Sequence, residues 1–247
     1  MTTPRYQELT DDLSHESAAG VLKVYAAMQA GALGPTAATA AMAAVINTAN
    51  AAAVSLAAVF VAATIEGDLR KPTPPSTVAV APVDDTERLT AAVATILDPA
   101  EPAPVVRRVR PDPELVEATE ADVEAIRAEI AAEGVDDVAA IRAEIAADGD
   151  AAMQAAIEEE LNRLERLARS EPLRTGQETI IRIVNRLPVV TGWVRKLDAN
   201  PCSRCRRWAE DGRVFSSGTP FKRHFGCNCQ PEIVVRTPSE TEGLEEL

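Results

Sequence analysis

Asn200-Pro201-Cys202-Ser203-Arg204-Cys205, followed after an eighteen-residue loop by His224-Phe225-Gly226-Cys227-Asn228-Cys229, holds all four cysteines and one of the two histidines in this 247-residue chain. Tetrahedral zinc takes Cys thiolates and His nitrogens and accepts short-spaced pairs presented by turns. Cys202 and Cys205 form a C-x2-C pair led in by an Asn-Pro turn, from which two sulfurs can converge on one ion. Cys227 and Cys229, two apart, point the same way on an extended segment and can grip a metal from one side. Five candidate ligands, Cys202, Cys205, His224, Cys227 and Cys229, thus compete for four places, with His224 expected as the spare or exchanging ligand. Two disulfides clipping a small domain are the competing reading. A leaderless, cytosolic chain is expected, where such clusters are metal sites more often than bridges. Reactive redox thiols at Cys202 and Cys205 are a further alternative, disfavoured because no strand-then-helix, thioredoxin-like context is read around them.

Charge sets the same region apart. Residues 171–236 carry twelve Lys and Arg against six Asp and Glu, net +6, inside a chain of net charge -13. Residues 1–170 carry thirteen against twenty-eight, and residues 237–247 add four Glu. A basic, cysteine-rich segment suits nucleic acid or an acidic partner surface. Aromatics are only 3% of residues, and both Trp lie after residue 190, where the best-packed small core is expected. Upstream, abundant Ala predicts long helices with thin cores that lean on neighbours.

Taken in order, residues 5–31 read as an amphipathic helix ending near Gly31 or Gly34, with His15 on its solvated face. Pro35 suits the first turn of a second helix, about residues 36–66, that has no charge between Lys23 and Glu66. Its Ala content and Asn47 and Asn50 argue for burial against partner helices rather than a membrane span, which needs about 20 strongly apolar residues. Residues 70–83 read as an extended Pro-rich linker, Asp85 to Leu97 as a short helix, and Pro99 to Pro113 as a second Pro-rich tract carrying Arg107, Arg108 and Arg110. Ala-Ile-Arg-Ala-Glu-Ile-Ala-Ala occurs at 125–132 and again at 140–147, a local duplication within helical spacer. A helix through Leu161, Leu164 and Leu167 is expected to stop at Glu171-Pro172, and another through Ile180, Ile183 and Val184 to stop before Pro188. Residues 189–197, Arg213 to Phe215 and Ile233 to Val235 have strand character, so the cysteines are expected on turns of a small β unit. The expected fold is mainly α with a small C-terminal β-containing, zinc-stapled unit (α+β). Its regions are 1–69 (Ala-rich helical), 70–113 (Pro-rich linker with one short helix), 114–170 (helical spacer with the repeat), 171–236 (cysteine-rich domain) and 237–247 (acidic tail).

The order Thr191-Gly192-Trp193-Val194-Arg195, Cys202-Ser203-Arg204-Cys205, Asp211-Gly212-Arg213-Val214-Phe215 and Arg223-His224-Phe225-Gly226-Cys227-Asn228-Cys229 resembles the C-terminal signature of tailed-phage minor head proteins. These are the Mu F-like head morphogenesis proteins, in the version found in phages of actinobacteria. The resemblance covers roughly residues 160–236 and departs from the pattern at Phe225, where a Pro often stands. It implies a minor capsid protein made in the host cytoplasm and carried in the virion, inside the head near the portal, with portal, major capsid or scaffold proteins as partners. Members of this group are often labelled capsid maturation proteases.

A triad protease needs a His base beside its Ser, and of the two histidines His224 is expected in the metal cluster. A zinc hydrolase needs an open coordination position and a carboxylate such as Glu210 or Asp211, whereas four thiolates make a closed site. Pro201-Cys202-x-x-Cys205 also matches half of a zinc deaminase signature, but His15-Glu16-Ser17 does not supply the His-x-Glu half. A zinc-dependent nucleic-acid module is the third class, with Arg204, Arg206, Arg207, Arg213, Lys222 and Arg223 facing packaged DNA or an acidic surface. With the resemblance, the expectation is a structural head-assembly protein with a structural zinc, with a capsid maturation protease and a zinc-dependent nucleic-acid-binding module as the alternatives.

Overall fold

The computed structural model describes residues 1–70, 72–97 and 151–236. Within them the chain runs α1 (Thr3–Gln29), α2 (Pro35–Leu69), α3 (Pro75–Val78), α4 (Thr86–Leu97), α5 (Ala151–Val184), β1 (Val190–Lys196), α6 (Ser203–Ala209), β2 (Val214–Ser216) and β3 (Gln230–Val235). This is the mainly helical chain with a small C-terminal sheet that the periodicities predict. The second Pro-rich tract, the duplicated octapeptide and the acidic tail lie outside the described residues.

Backbone chemistry marks the ends of α1 and α2. Gly31 adopts φ 77° and donates to the carbonyl of Met28, while Ala32 donates to Ala27. That pair of bonds is the Schellman closure, which needs a left-handed residue and therefore favours Gly. Pro35 then opens α2, where its missing N–H costs nothing.

The chain divides into two compact units, each assembled from separate stretches of sequence. One uses Met1–Leu13, Asn50–Pro82 and the described part of Pro172–Leu247; the other uses Ser14–Ala49 and the described part of Val83–Glu171. In the second unit Val21, Leu22 and Tyr25 of α1 pack with Met42 and Ile46 of α2, Leu89 and Val93 of α4, and Leu161 and Leu164 of α5. Arg88 ties α4 to α5 through a 2.5 Å ion pair with the buried Glu171. His15 is half-buried there, and its Nε2 faces the Arg169 guanidinium, so it is not the solvated side chain expected.

In the first unit Tyr6 stacks on Phe60, ring centroids 4.5 Å apart, above Ile180, Ile183, Val184 and Ile233. Val78 of α3 is 4% exposed and belongs to this core, so the 70–83 stretch is not a plain extended linker. α2 is long and apolar enough to cross a membrane, with a window of mean hydropathy 1.8, of which 44% is buried within the protein. Its apolar residues feed both cores, Met42 and Ile46 in one and Phe60, Val61 and Ile65 in the other.

The expected stop at Pro172 does not occur: α5 runs through it from Ala151 to Val184. Proline there deletes the bond to the Ala168 carbonyl, a loss of about 3 kcal/mol. Leu161, Leu164 and Ala168 on one side and Ile180, Ile183 and Val184 on the other are each fully buried, and that burial outweighs one missing bond.

The sheet has order β2-β1-β3, all antiparallel, with β1 in the centre. Trp193 pairs with Phe215 on one side and Ile233 on the other. Gly192 is required by close approach, because a Cβ there would fall 1.9 Å from the Phe215 carbonyl oxygen. A register shift between Val190 and Gly192 then adjusts the pairing with β3.

The Tyr6 hydroxyl is fully buried without a partner among the described residues, and a Cβ on Gly176 of α5 would lie 2.7 Å from it. Tyr6→Phe is expected to raise stability by about 1 kcal/mol by removing that unmet group. Gly176→Ala alone is expected to be neutral or destabilising, and in the Tyr6→Phe background to add the helix propensity difference of about 1 kcal/mol. Denaturant melts of the four proteins of this cycle measure it; additive effects would contradict the contact.

Candidate metal centre

The cysteine-rich segment is presented by three pieces of backbone. Cys202 is the N-cap of α6 and its sulfur accepts the Cys205 N–H at 3.4 Å, so the first pair sits on a helix start rather than on a bare turn. A strand-then-helix order, β1 then α6, therefore does surround these thiols, contrary to the sequence expectation. The described strands are nonetheless all antiparallel, unlike the parallel βαβ setting of a thioredoxin-type site.

The second pair follows a turn. Cys227 N–H closes on the His224 carbonyl at 3.3 Å, with Gly226 at φ 66° in the third position. A turn with positive φ there selects Gly and favours Pro at the second position, which Phe225 occupies with 68% of its surface exposed. Cys229 stands at the mouth of β3, directly before Gln230.

All five predicted donors are brought together, as two overlapping triads that share Cys205. Cys202, Cys205 and His224 form one, and Cys205, Cys227 and Cys229 the other, with ligand atoms within 4.8 Å of one another in each. His224 Nε2 lies 3.2 Å from Cys202 Sγ and 3.0 Å from Cys205 Sγ, and Cys205 Sγ lies 3.4 Å from Cys227 Sγ. A tetrahedral zinc with bonds near 2.0–2.3 Å holds its ligand atoms about 3.3–3.8 Å apart, and these three distances come near that spacing. All four cysteines are unbridged. The cluster can bind a metal.

His224 is not peripheral to it. Its Nδ1 is 2.9 Å from the Phe225 carbonyl, which can only accept, so Nδ1 carries the proton. Nε2 is left with its lone pair toward the sulfurs, the orientation a ligating imidazole requires. Like Cys202, Cys229 has a second engagement: its sulfur is 3.5 Å from both the Asp198 nitrogen and the Asp198 carboxylate.

Burial and local hydrogen bonds separate the four thiols. The exposed Cys202 is held below the ordinary thiol value, chiefly by the Cys205 N–H. Burial pushes Cys205 up to about 12. Cys229 is pushed up as well, first by its hydrogen bond with Cys227 and then by burial. A metal must therefore displace protons from at least Cys205 and Cys229, which binds it more tightly as pH rises.

Supporting residues went unread in the sequence. Gln177 of α5 is 1% exposed, and its amide donates to the carbonyls of Cys227 at 2.8 Å and Cys229 at 2.9 Å. Asn228, between those cysteines, accepts from Thr10 and Gln230, both at 2.9 Å, and donates to the Gln7 carbonyl at 2.7 Å. Gln7 in turn donates to the Asn228 and Leu197 carbonyls, each at 3.2 Å. One signal existed: Gln177 interrupts the apolar stripe Leu173, Ile180, Val184, and a polar residue on a core face needs a partner.

Gln177→Ala leaves two carbonyls beside the ligands without a donor. Metal affinity is expected to fall about 10–100-fold, read by chelator competition, with the helical circular dichroism retained. An affinity equal to the parent's would show that α5 does not hold the ligand loop.

No protein-family model, no curated protein and no solved structure matches this chain.

Proposed function

We propose that the chain is a structural head-assembly protein of a tailed phage, a minor capsid protein whose C-terminal module is stapled by one zinc ion. The observation that carries the reading is the meeting of Cys202, Cys205, His224, Cys227 and Cys229 in one cluster. Each of these residues comes from a motif that resembles the Mu F-like C-terminal signature. Zinc is favoured over other metals by the donor set, soft thiolates with one imidazole. A structural role is supported by three of the four thiols, Cys205, Cys227 and Cys229, which pack in the module's core with Trp193 and Phe221. Portal protein and major capsid or scaffold proteins are the proposed partners, and the virion interior the proposed location after assembly in the host cytoplasm.

Contact with packaged DNA is a second reading, and one observation favours it. Arg204, Arg206 and Arg207 are exposed along α6, whereas Arg213 and Arg223 are held by Glu210 and Glu178. Three exposed guanidinium groups on one short helix offer phosphate contacts. The protease reading lacks such support, since His224 Nε2 faces sulfurs and His15 Nε2 faces Arg169.

Two measurements test the proposal. Metal analysis by mass spectrometry is expected to find about one zinc per chain, and Cys205→Ser is expected to lose it and to melt the C-terminal module with little loss of helical signal. Unchanged metal content and melting would refute the staple. Incubation with the matching major capsid precursor is expected to leave it intact; cleavage that a point mutation in this chain abolishes would make the protein the maturation protease instead.

A further inference from the structure

One edge of the cysteine-rich module sets cations beside aromatic rings. Arg204 and Arg207 are exposed on α6, three positions apart and therefore neighbours on the helix surface. Arg204 Cζ lies 5.9 Å from the ring centroid of Trp208, and the Trp208 ring lies 6.1 Å from that of His224. Trp208 is half-buried against the module's core, so packing fixes its indole while part of it reaches solvent. Phe225 extends the row from the next position, with 68% of its surface exposed. Its carbonyl, not its ring, serves the ligand loop by accepting the His224 Nδ1–H. Glu210, directly after α6, is held by Arg213 at 2.6 Å, and neither Arg204 nor Arg207 is ion-paired among the described residues.

We propose that this row is a binding strip for single-stranded nucleic acid, in which Phe225 stacks on a base while Arg204 and Arg207 contact phosphates. Cations interleaved with solvent-reaching rings are the combination such strips use, because every nucleotide carries a phosphate and every base a π face. An acidic protein surface would satisfy the two guanidinium groups and leave the Phe225 ring without a stacking partner. A duplex would offer phosphates but withhold its base faces, which are stacked on one another. The strip rests on the nucleic-acid reading of α6 given above and adds base stacking, from which the preference for single strands follows. It does not depend on which metal the cysteines hold.

The test uses the full chain with its metal and a fluorescein-labelled oligothymidylate of twelve nucleotides, read by anisotropy. An abasic oligomer of the same length and charge, a twelve-base-pair duplex and polyglutamate serve as competitors. The thymidylate is expected to bind about tenfold more tightly than the abasic oligomer and the duplex. Phe225→Ala is expected to abolish that preference and leave the abasic affinity unchanged, with metal content and melting equal to the parent's. Phe225→Leu, which keeps apolar bulk without a π face, is expected to behave the same way. Arg207→Gln is expected to weaken both oligomers and to flatten the slope of log affinity against log salt by about 0.7. Equal affinity of the parent for the thymidylate and the abasic oligomer would overturn the strip without recourse to any variant. So would a metal-loaded Phe225→Ala or Phe225→Leu protein that keeps the preference, or an Arg207→Gln protein with unchanged affinity and salt slope. A duplex bound as tightly as the single strand would overturn the strip and leave the phosphate reading of α6 standing, whereas no binding to any of the nucleic acids would overturn both. Polyglutamate bound as tightly as the thymidylate would assign this face to an acidic protein instead.

Discussion

Burial of sulfur is the constraint on which the C-terminal module depends. Cys205, Cys227 and Cys229 are each no more than 3% exposed and share a cluster with Trp193 and Phe221, where a larger domain would place leucines. A thiol is a small apolar group and covers little area, so a core made of such residues is weak without something to join them. A metal joins them with bonds far stronger than dispersion, and its binding free energy becomes folding free energy because the unfolded chain offers no preformed site. Cys205, Cys227 and Cys229, three of the five groups that could bind a metal, are thus also part of the core.

The rest of the first unit is arranged to hold those atoms in place. Gln177 on α5 fixes the carbonyls of Cys227 and Cys229, while Gln7 and Thr10 on α1 fix the intervening Asn228. These bonds join residues up to 221 positions apart, so the N-terminal helix is part of the support for the C-terminal cysteines. Gly192 admits β2 against β1, which brings Phe215 onto Trp193 at 4.5 Å. The helical body and the small sheet in this unit are therefore one packed object, although the sequence between them is long.

Arg195 stacks against aromatic rings, and its Nε and Nη1 have no acceptor among the described residues. In the cysteine cluster the carbonyls of Cys227 and Cys229 are met from outside, by Gln177. Both features occur in the segment whose charge is opposite to that of the rest of the chain.

Much was legible from residue types and local spacing alone: the helical body, the Gly31 and Pro35 boundaries, the three strands, and the five donors Cys202, Cys205, His224, Cys227 and Cys229. Those features depend on short-range rules, namely side-chain periodicity, the φ that Gly and Pro permit, and ligands close in sequence. What the tertiary structure decided is long-range. α5 passes through Pro172 because buried residues on both sides outweigh one lost bond. His224 Nε2 meets the sulfurs of Cys202 and Cys205, which lie 22 and 19 positions away in the chain. Gln177, Asn228 and Arg195 acquire their roles only from neighbours far away in the chain, and a single sequence holds no record of which distant groups will meet.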